Sequence, residues 1–206
     1  MTNRYDTLAA DYDQRWQRYN QAVSAQVLRA LPDNLSGARV LDAGAGTGFF
    51  LEKLLRRHPH VDEIVALDAS RAMLLQAQRK LQNVASSSTR LQVALADASR
   101  LPFGNRSFDV VVSMNVLHYF DEPQKFFDEA HRVLEPGGLL VVQDYTRNDW
   151  PLFESAMRIV DKGMQRLYSP RDLNNFAECA GFRVERARYF RISRFWRGVL
   201  LKARKN

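Results

Sequence analysis

Five short runs of apolar residues constrain this chain more than anything else in it: Arg39–Ala43, Ile64–Asp68, Leu91–Leu95, Phe108–Met114 and Leu139–Asp144. Val, Ile and Leu crowd adjacent positions in them, which suits strands buried on both faces, since a strand with one wet face alternates. The intervening segments repeat apolar residues at helical spacing. Gly48–Arg57 presents Leu51, Leu54 and Leu55, and the segment capped by Ser70 presents Met73, Leu74, Ala77 and Leu81. A helix from Asp121, with Pro123 in its first turn, carries Phe126, Phe127, Ala130, Val133 and Leu134 and stops at Glu135-Pro136-Gly137-Gly138. A later helix opens on Ser169-Pro170-Arg171-Asp172, presents Leu173, Phe176, Ala177 and Ala180, and ends at Gly181. Two further strands fit Phe182–Phe190 and Trp196–Ala203. Strands alternating with helices predict an α/β fold, a doubly wound and mostly parallel sheet with helices on both faces.

With 206 residues, 46% apolar and 26% charged, the chain has the composition of a folded domain, not a disordered one. At that length one core suffices, because roughly 70% of the unfolded surface is hidden on folding. The single cysteine, Cys179, excludes an internal disulfide or a Cys-rich zinc site, and reads as a small buried hydrophobe. Met1 to Asp13 lacks the apolar core of a secretory signal, and Val110 to Phe120 is too short and polar to span a bilayer. A cytoplasmic protein is the expectation. The net charge of +7 is uneven, since Arg183 to Asn206 holds nine basic residues and one acid. Such a tail either marks an anionic partner or protects a solvated sheet edge from pairing.

In parallel sheets, ligands bind beyond the carboxyl ends of the strands. After the first strand comes Asp42-Ala43-Gly44-Ala45-Gly46-Thr47-Gly48, a turn whose glycines let the backbone approach a ligand. Phe49 stands where a dinucleotide fingerprint needs glycine, and no Gly-Lys-Ser/Thr follows. With no Lys or Arg in the loop, Asp42 suits a cationic group better than a pyrophosphate. Asp68 ends the second strand, where an acid accepts hydrogen bonds from ribose hydroxyls. After the third strand, Asp97 can accept from an exocyclic amine and Ala98 N–H can donate to a ring nitrogen.

Segments Val40–Gly48, Asp68–Leu74, Ala96–Phe103, Ser107–Phe120 and Arg132–Gly138 together resemble the class I S-adenosylmethionine-dependent methyltransferases. Within them the likeness is to the small-molecule branch that includes quinone-biosynthesis C-methyltransferases. The resemblance implies a Rossmann-like sheet of seven strands, the last antiparallel, with the basic tail as strands six and seven. It divides 1–206, taken as one domain, into a helical cap (1–36), a cofactor-binding core (37–147) and an acceptor-side region (148–206). It implies that Gly44, Gly46 and Gly48 wrap the methionine half of the cofactor and that Asp42 reaches its ammonium. By the same likeness Asp68, with Ala69 beside it, holds the ribose, Met73 packs on the adenine, and Asp97 and Ala98 read its edge. Asn115 and His118 would border the methyl group. Tyr5, Tyr12, Trp16 and Tyr19 form one helical stripe. A tyrosine from such a helix touches the methionine carboxylate in similar proteins, which points to Tyr5 or Tyr12, while Trp16 and Tyr19 read as packing.

Methyl transfer from a sulfonium needs alignment first, and a base only where the acceptor must lose a proton. His118 is the candidate base, because its ordinary pKa of about 6.5 lies near working pH; the alternative is a pocket wall. Tyr119, Asp144 and Tyr145 lie at strand ends with open roles. Ser113-Met114-Asn115-Val116 is not the Asn/Asp-Pro-Pro-aromatic tetrad of base amino-methylases. The expected acceptor is therefore a small molecule, with a hydrophobic one a candidate, and the expected cofactor product is S-adenosylhomocysteine; neither a structural metal nor a nucleic-acid partner is expected. Two alternatives stand beside it. One is a lipid or RNA methyltransferase that holds an anionic surface or a membrane with the basic tail, Phe190, Phe195 and Trp196. The other is a non-catalytic subunit that only binds S-adenosylmethionine.

Overall fold

The computed structural model describes residues 9–146, 159, 161, 163–193 and 196–206. Strands β1 (Arg39–Ala43), β2 (Glu63–Asp68), β3 (Arg90–Leu95), β4 (Phe108–Met114), β5 (Leu134–Thr146), β6 (Phe182–Arg191) and β7 (Arg197–Lys205) form one sheet ordered β3-β2-β1-β4-β5-β7-β6. β1 to β5 pair in parallel, and β7 runs antiparallel to both its neighbours. The chain winds outward from β1 to β3, then returns to β4 on β1's other side. That reversal opens a crevice at the carboxyl ends of β1 and β4.

Helices α1 (Tyr12–Ala30), α2 (Phe49–Arg57) and α3 (Arg71–Gln82) cover one face. Val23, Val27, Leu51, Leu54 and Ala77 there meet Val40, Ile64 and Ala66. α4 (Pro123–Val133) and α5 (Pro170–Cys179) cover the other, where Phe126, Phe127 and Leu173 meet Leu41, Val65 and Leu67. Adjacent residues of each central strand thus enter opposite cores, which is why these strands read as unbroken apolar runs. Two helix starts have their expected caps. Ser70 Oγ accepts from Met73 N–H, and Ser169 and Asp172 form a reciprocal capping box.

Some expectations need correcting. β3 is not buried on both faces; as an outer strand it leaves Leu95 58% exposed. α4 is capped at Glu122, one residue later than expected, and ends at Val133. Leu134 already pairs with Phe108, and a register shift absorbs Glu135–Gly138 before Val110 meets Leu139. Cys179 is exposed, because α5 turns Leu173 and Ala177 inward and position 179 falls on its other side.

The basic tail is strands β6 and β7, and part of its charge is used internally. Lys205 Nζ donates to the carbonyls of His131 and Leu134, closing the end of α4, at 2.7 and 2.8 Å. Arg204 and Lys202 pair with Glu185, and Arg188 donates to Gln26 on α1. Arg183, Arg186 and Arg191 are exposed. Arg194 and Phe195 lie outside the described residues. Deleting residues 196–206 removes β7 from between β5 and β6 and should abolish the cooperative thermal transition. Arg186→Glu, at an exposed edge, should change stability by less than about 0.5 kcal/mol in denaturant titrations.

Candidate functional site

A cavity of about 370 Å³ lies at the crevice, within the size range of small-molecule sites. Its floor is the loop after β1. Gly44 has φ +95, and a Cβ there would sit 2.1 Å from Val116 Cγ2, so only glycine fits. Gly44 N–H and Ala45 N–H donate to Leu67 O at 2.7 and 2.8 Å, tying the loop to β2. A Cβ at Gly46 would meet nothing within 4 Å, and Gly46 lines the cavity. Gly48 does not. It caps α2 with φ +75 and lies tight against Ala77 of α3, so it serves helix packing.

Asp68 joins the loop to α3. Its Oδ2 accepts from Gly46 N–H and its Oδ1 from Ser70 N–H, both at 2.8 Å. Asp68, Ala69 and Met73 all line the cavity, as do Asp97 and Ala98 after β3. Asp97 Oδ1 accepts from Ser99 N–H at 2.8 Å, which fixes its turn.

Asp42 is the electrostatic anomaly. It lines the cavity yet is only 2% exposed, and its Oδ1 has no hydrogen-bond partner among the described residues. Burial first, and then the charge of Asp68, push its pKa up to about 8. Asn20 and Ser24, buried polar residues on α1, line the same cavity, and Ser24 Oγ likewise lacks a described partner. Sequence reasoning missed both. The available signal was two polar residues four apart on the face that carries Val23 and Val27. α1 is pinned over the loop by Asp13, which bonds both Thr47 and Lys80.

Tyr12 of the aromatic stripe lines the cavity, whereas Tyr5 lies outside the described residues. Trp16 and Tyr19 pack edge-on with Trp196, which also meets Tyr145. Tyr19 does more than pack, since its hydroxyl donates to Asn115 Oδ1 at 2.6 Å. Asn115 lines the cavity with φ +57, a conformation that Asn tolerates better than most residues.

His118 lies off the cavity wall, 1% exposed, its ring against those of Tyr119 and Tyr145. Its Nδ1 is 2.7 Å from Asp144 Oδ1, and its backbone N–H donates to Asp144 Oδ2 at 3.0 Å. Its Nε2 is at ion-pair distance from Asp161 Oδ2, 3.5 Å, but without hydrogen-bond geometry. Burial alone would lower its pKa; the charge and hydrogen bond of Asp144, with the nearby carboxylate of Asp161, outweigh that and push it up to about 9. The surrounding carboxylates thus favour the charged form of the ring. Tyr119, Phe120 and Gly163 form the cavity wall on that side.

A family model described as a methyltransferase domain matches residues 41–142. The biotin biosynthesis bifunctional protein BioHC of Teredinibacter turnerae is 31% identical over 193 residues, covering 89% of this chain and 33% of that protein. The demethylmenaquinone methyltransferase of Clavibacter sepedonicus is 35% identical over 139 residues, covering 66% of this chain and 54% of that one. The chain thus spans between a third and just over half the length of these curated relatives. Among solved structures, a chain from the complex between the Haloferax volcanii Trm112 methyltransferase activator and a methyltransferase has the same fold. Its TM-score is 0.82 at 20% identity, covering 99% of this chain and 98% of that one.

The raised pKa of Asp42 has a stability consequence. Its folded value exceeds its unfolded value, so the ligand-free protein loses stability as pH rises between about 4 and about 8. Asp42→Asn should raise Tm, with a gain that grows across that interval and levels off above it. Differential scanning calorimetry of both proteins from pH 5 to 9 checks this.

Proposed function

Residues 41–142 belong to the methyltransferase-domain family, and we propose that the chain transfers a methyl group from S-adenosylmethionine to a small, hydrophobic acceptor. The observation that carries this reading is Asp42, a buried carboxyl group with one oxygen unpartnered among the described residues, on the wall of a cavity whose loop holds no Lys or Arg. An α-ammonium supplies the missing partner, and a phosphate would not. The remaining wall fits the rest of the cofactor. Asp68 stands at the ribose position, Asp97 and Ala98 at the adenine edge, and Met73 supplies an apolar face. Gly46 leaves room for the backbone to approach the methionine half.

When bound, S-adenosylmethionine brings a methyl group already activated on a sulfonium. The protein's share is to hold that group in line with the acceptor atom, and such alignment contributes up to about 7–11 kcal/mol. Asn115, fixed by Tyr19 and by its own N–H to Gln143 O at 2.9 Å, lines the cavity at the end of β4, where it would border the methyl group. Tyr12, Phe49, Tyr119 and Phe120 give the cavity an aromatic wall, which agrees with the demethylmenaquinone named for the Clavibacter relative. In this reading α1 is a cap, residues 37–147 hold the cofactor, and residues 148–206 complete the acceptor side. The basic tail needs no lipid or RNA to account for Lys202, Arg204 and Lys205, which have partners within the fold. Among the described residues no helix is long and apolar enough to cross a membrane.

S-adenosylhomocysteine at about 100 times its Kd should stabilise the protein by roughly 2.7 kcal/mol, seen as a higher Tm, while NAD should leave Tm unchanged. Stabilisation by NAD alone would refute the cofactor reading. Asp68→Asn should weaken S-adenosylhomocysteine by about 1–3 kcal/mol in isothermal calorimetry with the fold retained. An unchanged affinity would take Asp68 out of the site.

A further inference from the structure

Two hydroxyls donate to one carboxylate oxygen beside the cavity wall, and a ring nitrogen lies near it. The Tyr119 hydroxyl donates to Asp161 Oδ2 at 2.5 Å and the Tyr145 hydroxyl at 3.2 Å, and His118 Nε2 lies 3.5 Å from the same atom. His118 is fixed from behind by Asp144, which is fully buried and also accepts from Tyr145 N–H at 2.7 Å. The segment carrying Asp161 is stitched to this cluster. Met164 N–H donates to Asp161 O and Gln165 N–H to His118 O, at 3.0 and 2.8 Å. Gly163 lies against the Tyr119 ring, and a Cβ there would be 3.1 Å from Tyr119 Cε1. Within the cluster of His118, Tyr119, Asp144, Tyr145 and Asp161, the cavity wall is formed by Tyr119.

We propose that Tyr119 selects an acceptor bearing an O–H or N–H group, and that Asp161 positions Tyr119 for this by taking its hydroxyl hydrogen. The proposal rests on the methyltransferase reading. A phenol whose hydrogen is committed to a carboxylate becomes a stronger acceptor at its oxygen, because hydrogen bonds in a chain polarise one another. A ligand X–H gains a partner there, whereas the same ligand with X already methylated does not. During transfer the S–CH3 bond breaks and the X–CH3 bond forms. The proton on X passes to the Tyr119 oxygen, the Tyr119 hydrogen moves to Asp161 Oδ2, and the proton then leaves to solvent. His118, enclosed behind Tyr119 with its Nε2 3.5 Å from Asp161 Oδ2, is a positioning residue that holds Asp161 in place. This arrangement also favours unmethylated substrate over methylated product at the same wall.

The test uses protein saturated with S-adenosylhomocysteine and two probes, 2-naphthol and 2-methoxynaphthalene, which differ by one methyl group on oxygen. Wild type should bind 2-naphthol about tenfold more tightly than its methyl ether. Tyr119→Phe and Asp161→Ala should bring the ratio near one, with S-adenosylhomocysteine affinity and Tm retained, and Asp161→Glu should restore part of the preference. A wild-type ratio within twofold, no measurable 2-naphthol binding, or an unchanged ratio in Asp161→Ala overturns the proposal. Failure of wild type to bind S-adenosylhomocysteine would instead bring down the methyltransferase reading on which it rests.

Discussion

The central strands of this sheet are covered on both faces, so their side chains are committed to packing. Val40 and Leu41, or Ile64 and Val65, enter opposite cores and have nothing left to offer a ligand. Polar chemistry can then sit only where a strand stops, because only there does the backbone leave the layer of helices. Asp42, Asp68, Asp97 and Asn115 follow this rule, each at or just beyond the end of its strand. The reversal of winding between β1 and β4 separates the outgoing connections and leaves room between those ends. Site and core are thus two results of one burial requirement.

Two buried groups show how the fold holds charge there. Asp42 is desolvated and lies near another carboxylate, so the ligand-free protein favours its neutral form. His118 is equally buried but stands between two carboxylates, and its charged form wins. Burial acts against the charge in both, and the sign of the neighbours decides the outcome.

The elements and the acids on the cavity wall were legible because each depends on local pattern. Paired apolar runs gave the strands, Ser70 and Ser169 gave the caps, and the acids at strand ends gave the wall around Asp42, Asp68 and Asp97. What was not legible depends on contacts between distant segments. Nothing local shows that Leu95 lies on an outer strand, or that Cys179 turns away from the core. The place of His118 behind Tyr119 follows from Asp144 and Asp161, which are 26 and 43 positions further along the chain. The buried pair Asn20 and Ser24 looks like an ordinary interruption of an amphipathic helix until the cavity beside it is seen. The basic tail was read as strands, yet the internal use of Lys205 and Arg204 needed the ends of α4 and β6 in place.

β7 follows β6 in sequence but lies between it and β5. During synthesis β6 therefore emerges with no partner, and must wait until Arg197–Lys205 has left the ribosome before either strand can join the sheet. Trp196, which packs against Trp16, Tyr19 and Tyr145, arrives with that last strand. The cavity-lining loop between β1 and α2 can form much earlier from residues already made. A nascent chain would thus pass through a stage in which the Asp42 side of the cavity is built and the side next to Trp196 is not. Any ligand held by the completed side at that stage would stabilise the half-built sheet by mass action while β7 is still being added.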